Sequence, residues 1–383
     1  MKGLKIRIIP GNSFSGLKSE AESLINENEI GGLMLLTCEA NDYTPKILDP
    51  WLRSLKVPVL GGIFPGIIHG NRKFAKGTLL IGMEEAPEVH ILRNVSNPTE
   101  AFHISMGNFF KGNDELKTIF IFVDGTSQNT YSFMESLFIV FGLEYNFIGG
   151  GAGSLSMEPM PCIITNEGLL SDAVIIAGSR MNGRLSFKHG WKSVAGPFKV
   201  TGSHGNLLVS LDFKPVLEVY KEVVEPLVDQ PIHTGNFSSI AAGYPFGITR
   251  LGTEKIIRSP LKIDSLNNIV CACEIPEGVF VHILHAEKDD LFKAAMDAQQ
   301  DVLNSGSQKT GDQFTFVIDC ISRIKFLENR YQEKLNILNE RGSPLAGILS
   351  LGEIANSGRE FLEFYNKTFV IASFSQTEGS HVR

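Results

Sequence analysis

The chain has 383 residues, of which 43% are hydrophobic and 20% are charged, and its formal net charge is -7 at pH 7. This length predicts two domains, and the composition is that of a globular protein rather than a disordered one. The negative charge and the lack of any Lys/Arg run exclude non-specific nucleic-acid binding. The sequence has no uninterrupted apolar run of about 18 residues, so no membrane-spanning helix is predicted.

In chain order, the first 13 residues alternate apolar and basic side chains, a pattern that predicts a strand rather than a signal peptide. The cysteines are few, odd in number and widely spaced: Cys38, Cys162, Cys271, Cys273 and Cys320. Such usage predicts reduced thiols and a cytoplasmic protein. Only Cys271 and Cys273 are close together, and no second Cys or His pair at zinc spacing accompanies them, so no metal site is predicted.

A strand–helix–strand unit occurs three times. Each unit has an apolar run, a small polar turn, an amphipathic segment and a second apolar run broken by glycine; these segments lie at 31–40, 44–55 and 57–68, at 117–127, 131–142 and 145–155, and at 313–322, 328–340 and 343–354. A further strand follows each unit, at 77–83, 170–179 and 367–374. The short connections predict that the two strands of each unit pair in parallel. In the third unit, the spacing of Leu327, Tyr331, Leu335 and Leu338 predicts one shared helix face.

The glycines of the second unit raise the question of a phosphate site. Gly149, Gly150 and Gly151 follow an apolar run, but Pro159 and Pro161 exclude the helix that a phosphate-binding loop requires, and no Gly-Lys-Ser/Thr ending occurs. We interpret the glycines as places where the backbone turns or closely approaches a strand or a ligand. Glycine recurs at the same place in the other units, at Gly61, Gly62 and Gly347.

Between the second and third units, residues 185–213 alternate polar and apolar side chains and are punctuated by glycine, which predicts antiparallel strands. Helices are predicted at 214–227 and 290–306, with a strand at 279–286 between them. The fold class is therefore α/β, with two domains of repeated strand–helix–strand units and mixed sheets, plus an inserted antiparallel β-rich region. We expect the domains to cover residues 1–205 and 206–383.

The C-terminal ends of parallel strands meet at one sheet edge, where ligands usually bind. An Arg beside hydroxyls could bind a carboxylate there, and an acidic side chain could bind an ammonium group. The predicted ligand-binding residues are Asp124, Thr126, Ser127, Gly149, Gly150, Gly151, Cys320, Ser322, Arg323 and Glu353. Two other interpretations stay open: the Asp and Ser residues after each strand, including Asp319, could cap helices, and Arg323 could form a surface ion pair.

An ordered series of motifs resembles the FIST family. The motifs include VPVLGGIFPG (57–66), FVDGTS (122–127), IGGGAGSL (148–155), YPFGI (244–248), IDCISR (318–323) and SLGEIANSG (350–358). The resemblance covers nearly the whole chain and implies a FIST N and a FIST C domain. It further implies a bacterial or archaeal sensory module that binds a small molecule such as an amino acid. Its output would pass through a separate partner, a histidine kinase or a cyclic-di-GMP protein.

We therefore predict a small-ligand-binding sensory protein of intracellular signal transduction, without catalytic residues and with no cofactor certain. One alternative, implied by the family, is a haem-based nitric oxide sensor, for which His189 is the first candidate axial ligand; no C-x-x-C-H motif for covalent attachment occurs. A second alternative is an enzyme that uses Cys320 or Asp319. Cys320 can instead be interpreted as a buried, inert thiol. A third is an interaction scaffold.

Overall fold

The protein is described by a computed structural model, which covers residues 5–28, 30–250, 254–304, 314–340, 344–356 and 362–375. The fold class is α/β with mixed sheets, as predicted. Three repeats, each larger than the unit seen in the sequence, build three six-stranded sheets, and a fourth, antiparallel sheet forms the inserted region.

The first repeat spans residues 5–83. Its elements are β1 (Lys5–Pro10), α1 (Phe14–Asn28), β2 (Gly32–Cys38), α2 (Pro45–Leu52), β3 (Val59–Phe64), β4 (Gly66–His69), β5 (Arg72–Phe74) and β6 (Gly77–Met83). The second repeat spans residues 88–179. Its elements are β7 (Glu88–Arg93), α3 (Phe102–Met106), β8 (Thr118–Asp124), α4 (Thr130–Phe141), β9 (Asn146–Ala152), β10 (Ile163–Thr165), β11 (Gly168–Leu170) and β12 (Ala173–Ser179).

The third repeat is interrupted after its first strand, β13 (Asn182–Lys188), by the inserted region, residues 192–285. The elements of that region are β14 (Lys192–His204), β15 (Leu207–Leu211), β16 (Lys214–Pro215), α5 (Val216–Val228), α6 (Phe237–Ala241), β17 (Phe246–Ile248), β18 (Ile256–Arg258), β19 (Pro260–Ile263), β20 (Ile269–Cys271) and β21 (Phe280–His285). Its strand pairs are antiparallel, as predicted.

After the insertion the third repeat resumes. The remaining elements are α7 (Lys288–Asn304), β22 (Phe314–Cys320), α8 (Ile321–Leu327), α9 (Arg330–Glu340), β23 (Leu345–Ser350), β24 (Glu353–Ala355), β25 (Glu363–Tyr365) and β26 (Phe369–Ser375). One continuous helix was expected at 328–340 with Leu327 on its apolar face. Instead Leu327 ends α8, Glu328 breaks the helix with φ 51°, and the other three residues of the face lie in α9. All four side chains are nevertheless buried.

The predicted parallel pairs are present in all three repeats, as β2 with β3, β8 with β9 and β22 with β23. The sequence expected one strand at 57–68 and one at 343–354. Each of these segments instead contains two strands, because the chain leaves its own sheet after the first of them.

In each repeat the strand that leaves pairs with a strand of another repeat, and the three pairings form a closed cycle. β10 pairs with β3, β24 pairs with β9, and β4 pairs with β23, each time antiparallel. The strand orders are consequently equivalent: β1-β6-β2-β3-β10-β11, β7-β12-β8-β9-β24-β25 and β13-β26-β22-β23-β4-β5. The three repeats therefore form a pseudo-threefold assembly in which each sheet is completed by its neighbour.

The three sheets pack around one core. Phe64 of the first sheet meets Phe122 of the second edge-on, with ring centroids 5.7 Å apart, and Phe120 contacts Phe374 of the third at the same distance. Helices α3 and α4 cover the outer face of the second sheet, and α7, α8 and α9 cover that of the third. Because β13 pairs with β26, the third sheet includes strands from both sides of residue 205. The domain boundary at residue 205 stays a prediction.

A glycine at the same register permits close strand approach in each parallel pair. Gly61, Gly149 and Gly347 stand opposite Leu35, Ile121 and Val317. A Cβ atom would lie only 1.9, 1.7 and 2.0 Å, respectively, from the carbonyl oxygen of the opposite residue. No side chain fits at such a distance, so the recurrence of glycine in the sequence has the geometric cause that we inferred.

Candidate functional site

The C-terminal end of β8 turns sharply around Asp124. Its Oδ1 atom accepts hydrogen bonds from the backbone N–H of Thr126 at 3.0 Å and from the Thr126 hydroxyl at 2.7 Å. Its Oδ2 atom accepts one from the backbone N–H of Asp172 at 2.8 Å. This is an Asx turn, whereas α4 begins only at Thr130, after an N-cap residue whose side chain makes no capping bond. Asp124 is buried behind the turn, and Thr126 is partly exposed.

Ser127 completes the turn. Its hydroxyl donates to Asp172 Oδ1 at 2.7 Å, and the same oxygen accepts bonds from the Ser96 hydroxyl at 2.7 Å and the Ser96 N–H at 2.9 Å. Asp124 and Asp172 thus fix the backbone of this loop without helping to cap α4. The loop is preorganised, which is what a binding surface requires.

A cavity of about 440 Å³ lies in front of this turn. One wall is formed by residues 125–130 of the second repeat, and the opposite wall by residues 204–206 and 271–274 of the inserted region, with Met157 and Leu261 at the sides. We call it the tip cavity. Of the predicted site residues, it brings Thr126 and Ser127 together with the inserted region.

Glu274 is the acidic side chain of the tip cavity. The backbone N–H groups of Asn129 and Tyr131, at the start of α4, lie close enough to its carboxylate to lower its pKa. Burial raises the pKa of Glu274, while Arg258 and these N–H groups act in the opposite direction. The carboxylate therefore occupies the helix N-terminus, where the macrodipole favours negative charge.

The wall that contains Cys273 adjoins a buried polar region. The Asn366 side-chain amide donates to Cys273 Sγ at 3.4 Å, and the Asn366 carbonyl oxygen accepts a bond from the Thr368 hydroxyl at 3.0 Å. Behind Asn366 lie five ionisable side chains that are at most 2% exposed: Asp319, Arg323, Lys334, Glu353 and Lys367. We call them the buried ionic cluster.

Asp319 is the centre of one half of this cluster. Its Oδ1 atom lies 3.2 Å from Arg323 Nε, and its Oδ2 atom accepts a bond from Lys334 Nζ. Lys334 also lies over the rings of Tyr331 and Phe369, at 4.2 and 4.8 Å from their centroids. Burial lowers the pKa of Lys334 to about 8 although Asp319 opposes the shift. Asp319 is thus compensated by two cations rather than free to act as a base.

Arg323 contacts the protein itself. Besides Asp319, its guanidinium donates to the carbonyl oxygens of His189 at 2.6 Å and Leu291 at 3.0 Å, with a longer contact of 3.4 Å to that of Lys367. These bonds connect α8 to the residue that follows β13, to α7 and to the β25–β26 turn. The surface ion pair considered from the sequence is wrong, because Arg323 is 0% exposed. Its predicted contact with a ligand carboxylate stays a prediction.

The second half of the cluster surrounds Glu353. Ser350 Oγ donates to its Oε1 at 2.7 Å, and the backbone N–H of Thr368 donates to its Oε2 at 3.1 Å. Burial raises the pKa of Glu353 to about 8 against these bonds. Burial likewise lowers the pKa of Lys367 to about 8; its Nζ donates to the Ala242 carbonyl oxygen at 3.0 Å. The protonation of this half of the cluster therefore changes near pH 8.

Cys320 lies next to Glu353 but is held as a thiol. It is 4% exposed, its Sγ is 3.1 Å from Ser322 Oγ, and burial raises its pKa to about 12. A nucleophilic cysteine requires a thiolate, which this environment disfavours. The contacts match the reading of an inert buried thiol and offer no support for the enzymatic alternative.

Protein covers the predicted glycine site. Gly151 N–H donates to the Gly352 carbonyl oxygen at 2.8 Å, and the Leu351 N–H donates to the Gly151 carbonyl oxygen at 2.9 Å. A Cβ atom on Gly150 would lie 2.7 Å from the Gly352 oxygen. The segment after β23 therefore fills the space over these glycines, and their contact with a ligand stays a prediction.

His189 does not fit the role of an axial haem ligand in this structure. Its Nδ1 accepts a bond from the Trp191 N–H at 2.8 Å, so its proton is on Nε2, which is buried 3.2 Å from Glu254 Oε2 but makes no hydrogen bond. Burial is the main cause that lowers the pKa of His189, to about 3, so the ring is neutral. An iron atom would have to displace one of these contacts inside a packed region.

Several residues of the site were missed in the sequence. Lys334 carried a usable signal, because it lies on the apolar face of α9 between Tyr331 and Leu335, where a lysine is unusual. Glu274 and Lys367 carried none, since both follow short strands and their roles depend on segments distant in the chain. Among the described residues, no group of three His, Cys, Asp or Glu side chains is placed to hold a metal ion.

Comparison with protein families gives two matches, to the FIST N domain at residues 32–214 and to the FIST C domain at residues 217–356. Domains of this family are associated with sensory signal transduction. No curated protein matches the chain. Over the part of the chain that the structure describes, no helix has the length and apolar character needed to cross a membrane. The two matches are adjacent and together cover most of the sequence, and the chain therefore belongs to the FIST family.

Proposed function

We propose that this protein is a sensory receptor of intracellular signal transduction that binds a small polar metabolite in the tip cavity. The observation that carries the proposal is the cavity itself, between the preorganised turn after β8 and the inserted region. Its volume of about 440 Å³ falls in the usual range for small-molecule sites, about 300–1,000 Å³. An amino acid or a compound of similar size fits in such a space.

The position of the cavity supports a sensory role. Its walls belong to two parts of the fold that are far apart in sequence, so a ligand would connect the second repeat to the inserted region. A ligand that binds better to one arrangement of these two parts shifts their equilibrium towards that arrangement. The output would then pass to a separate partner, and the family suggests a histidine kinase or a cyclic-di-GMP protein.

A cavity-filling variant tests the proposal. Ala272 lies in the cavity wall, and Ala272→Leu should occupy part of the volume that a ligand needs. Thermal unfolding would be followed with and without a panel of amino acids, amines and other small metabolites. We expect at least one compound to raise the midpoint of the wild type and to have a reduced effect on Ala272→Leu.

The matched control is Ala75→Leu, at an exposed position in the turn between β5 and β6 and outside the cavity. It should respond to the compound as the wild type does. The proposal is contradicted if the panel leaves the wild type unchanged, or if a compound stabilises the wild type and Ala272→Leu equally.

A further inference from the structure

We infer that the tip cavity selects ligands with a positively charged amine and without a free carboxylate, so that amines are preferred over the corresponding α-amino acids. The inference rests on the proposed function, because it assigns a chemical class to the ligand of the same cavity. It differs from the expectation drawn from the sequence, in which Arg323 would bind a carboxylate.

The first step is the charge of the cavity wall. Glu274 is the carboxylate among the described residues that line the cavity, which include one histidine, His204, and neither Lys nor Arg. Asp124 and Asp172 stand directly behind the opposite wall, at the turn. An ammonium group in the cavity therefore has a carboxylate partner and lies in a negative field, whereas a ligand carboxylate is repelled by it.

The second step is the N-terminus of α4, a place where a ligand carboxylate could otherwise bind. Asn129, Thr130 and Glu274 line the same cavity, and the N–H groups of Asn129 and Tyr131 lie close enough to the Glu274 carboxylate to lower its pKa. A ligand carboxylate would have to displace Glu274 from these groups and leave its charge partly buried. That exchange replaces one carboxylate by another and gains no new donor.

The third step is the position of the nearby cations. Arg258 is 2% exposed, and its guanidinium donates to the carbonyl oxygens of Glu274 at 2.8 Å and Phe364 at 3.0 Å. It thus holds the backbone of the wall. Arg323 and Lys367 are buried in the ionic cluster and bonded to other carbonyl oxygens. Their donors point into the protein, so none of these three cations offers a carboxylate a partner in the cavity.

The remaining surface fits the rest of such a ligand. Met157 and Leu261 line the cavity and are 45% and 40% exposed, so they give an alkyl or aryl group an apolar contact. The expected ligand is therefore amphipathic, with an ammonium group near Glu274 and an apolar body near these two side chains.

Isothermal titration with matched pairs of compounds tests this inference. The probes are tyramine with tyrosine, agmatine with arginine, and cadaverine with lysine, each pair differing by one carboxylate. For at least one pair we expect the amine to bind about tenfold tighter than the amino acid, or more. A difference of this size is expected when the carboxylate of the amino acid has no partner in the cavity. Glu274→Gln should weaken amine binding by a similar factor, and added salt should weaken it as well.

The control is Glu277→Gln, three residues along the chain at an exposed position that does not line the cavity, which should leave binding unchanged. If Glu274→Gln does not fold, the test is the affinity of the wild type for each amine compared with that for the corresponding amino acid. The inference is overturned if amino acids bind as tightly as their amines, or if Glu274→Gln binds amines normally. If amino acids bind and Ala272→Leu abolishes that binding, only the inference falls; if no probe binds the wild type, the proposed function falls with it.

Discussion

The first parallel strands of the second and third repeats end at the same register with their partner strands, but their ends have opposite surroundings. Asp124 ends β8 and Cys320 ends β22, at equivalent register to their partner strands. After Asp124 the chain turns outward into hydroxyl-bearing residues at an open cavity. After Cys320 it enters a helix whose arginine is bonded to three other segments, and fully buried charges fill the space.

The residue at one equivalent strand position shows how the strand ends of the second and third repeats differ. Ile67, Ile163 and Glu353 occupy equivalent places on the strands that pass to the neighbouring sheet. Two repeats thus place an apolar side chain in the core, while the third places a carboxylate there, together with the groups that bond to it. The repeated architecture tolerates both, because the backbone bonds between strands do not depend on these side chains. One end could therefore remain accessible while the other became a structural support.

The largest expected effect concerns that support. Arg323→Met would leave three carbonyl oxygens without their donor and Asp319 with one cation fewer, and it should lower the free energy of unfolding by about 3–5 kcal/mol. The matched variant Arg330→Met removes an arginine from an exposed pair with Asp289 and should leave the free energy of unfolding close to that of the wild type. Urea unfolding of both variants measures the difference. Equal losses would show that the interior of the third repeat does not depend on Arg323.

The next effect is a loss of stability that all three repeats should share, because each of them needs a glycine in its parallel strand pair. Gly149→Ala would place a methyl group against the Ile121 carbonyl oxygen, and we expect a loss of about 3 kcal/mol, at the upper end of overpacking. Gly61→Ala and Gly347→Ala should behave alike. Gly107→Ala is the control, because Gly107 has φ -60° and its nearest neighbours are 3.4 Å away. Chemical denaturation of the four variants provides the test; tolerance of Gly149→Ala would refute the close-approach role.

The third effect depends on pH and belongs to Glu353. Its pKa is raised from 4.5 to about 8, so the protonated form is favoured by folding. The stability that it contributes is complete below about pH 4.5 and is lost as the pH rises through 8. Glu353→Gln cannot ionise, and between pH 5 and pH 8 it should lose about 3–4 kcal/mol less than the wild type does.

One neighbouring group is coupled to Glu353. Burial lowers the pKa of Lys367 to about 8 and the charge of Glu353 raises it, so the titration of Lys367 is part of the measured difference. The pKa of His189, lowered to about 3, does not depend on Glu353. Unfolding midpoints in urea at several pH values give the two curves. Parallel curves would mean that Glu353 remains ionised in the folded protein.

The sequence was sufficient where local periodicity determines structure and insufficient where distant segments meet. It predicted the three parallel pairs and the glycines that permit them, because apolar runs and short crossovers constrain pairing. It did not predict that the segments 57–68 and 343–354 divide between sheets, since Ile67 and Glu353 find their partners in another repeat. Nothing local distinguishes a strand that stays in its sheet from one that leaves it.

The same limit applies to the candidate site. Thr126 and Ser127 were identified because they follow an apolar strand, and they do line a cavity. Arg323 was selected by the same rule but lies in the interior, because its neighbours come from the residue after β13, from α7 and from the β25–β26 turn. Glu274 gains its position from α4, which lies more than a hundred residues earlier, and no spacing within the sequence connects them.

The smallest effects compare one hydroxyl from each end. Ser127→Ala removes a bond to Asp172 Oδ1, which keeps both of its bonds from Ser96, so we expect a loss of about 0.5–1 kcal/mol. Ser350→Ala removes the bond to Glu353 Oε1 in a region that water does not reach, and the cost should be about 1–3 kcal/mol. Urea unfolding at pH 7 measures both. If the two losses were equal, the buried and the accessible ends would not differ in the way that their contacts indicate, because a bond lost beside water is replaced and one lost in the interior is not.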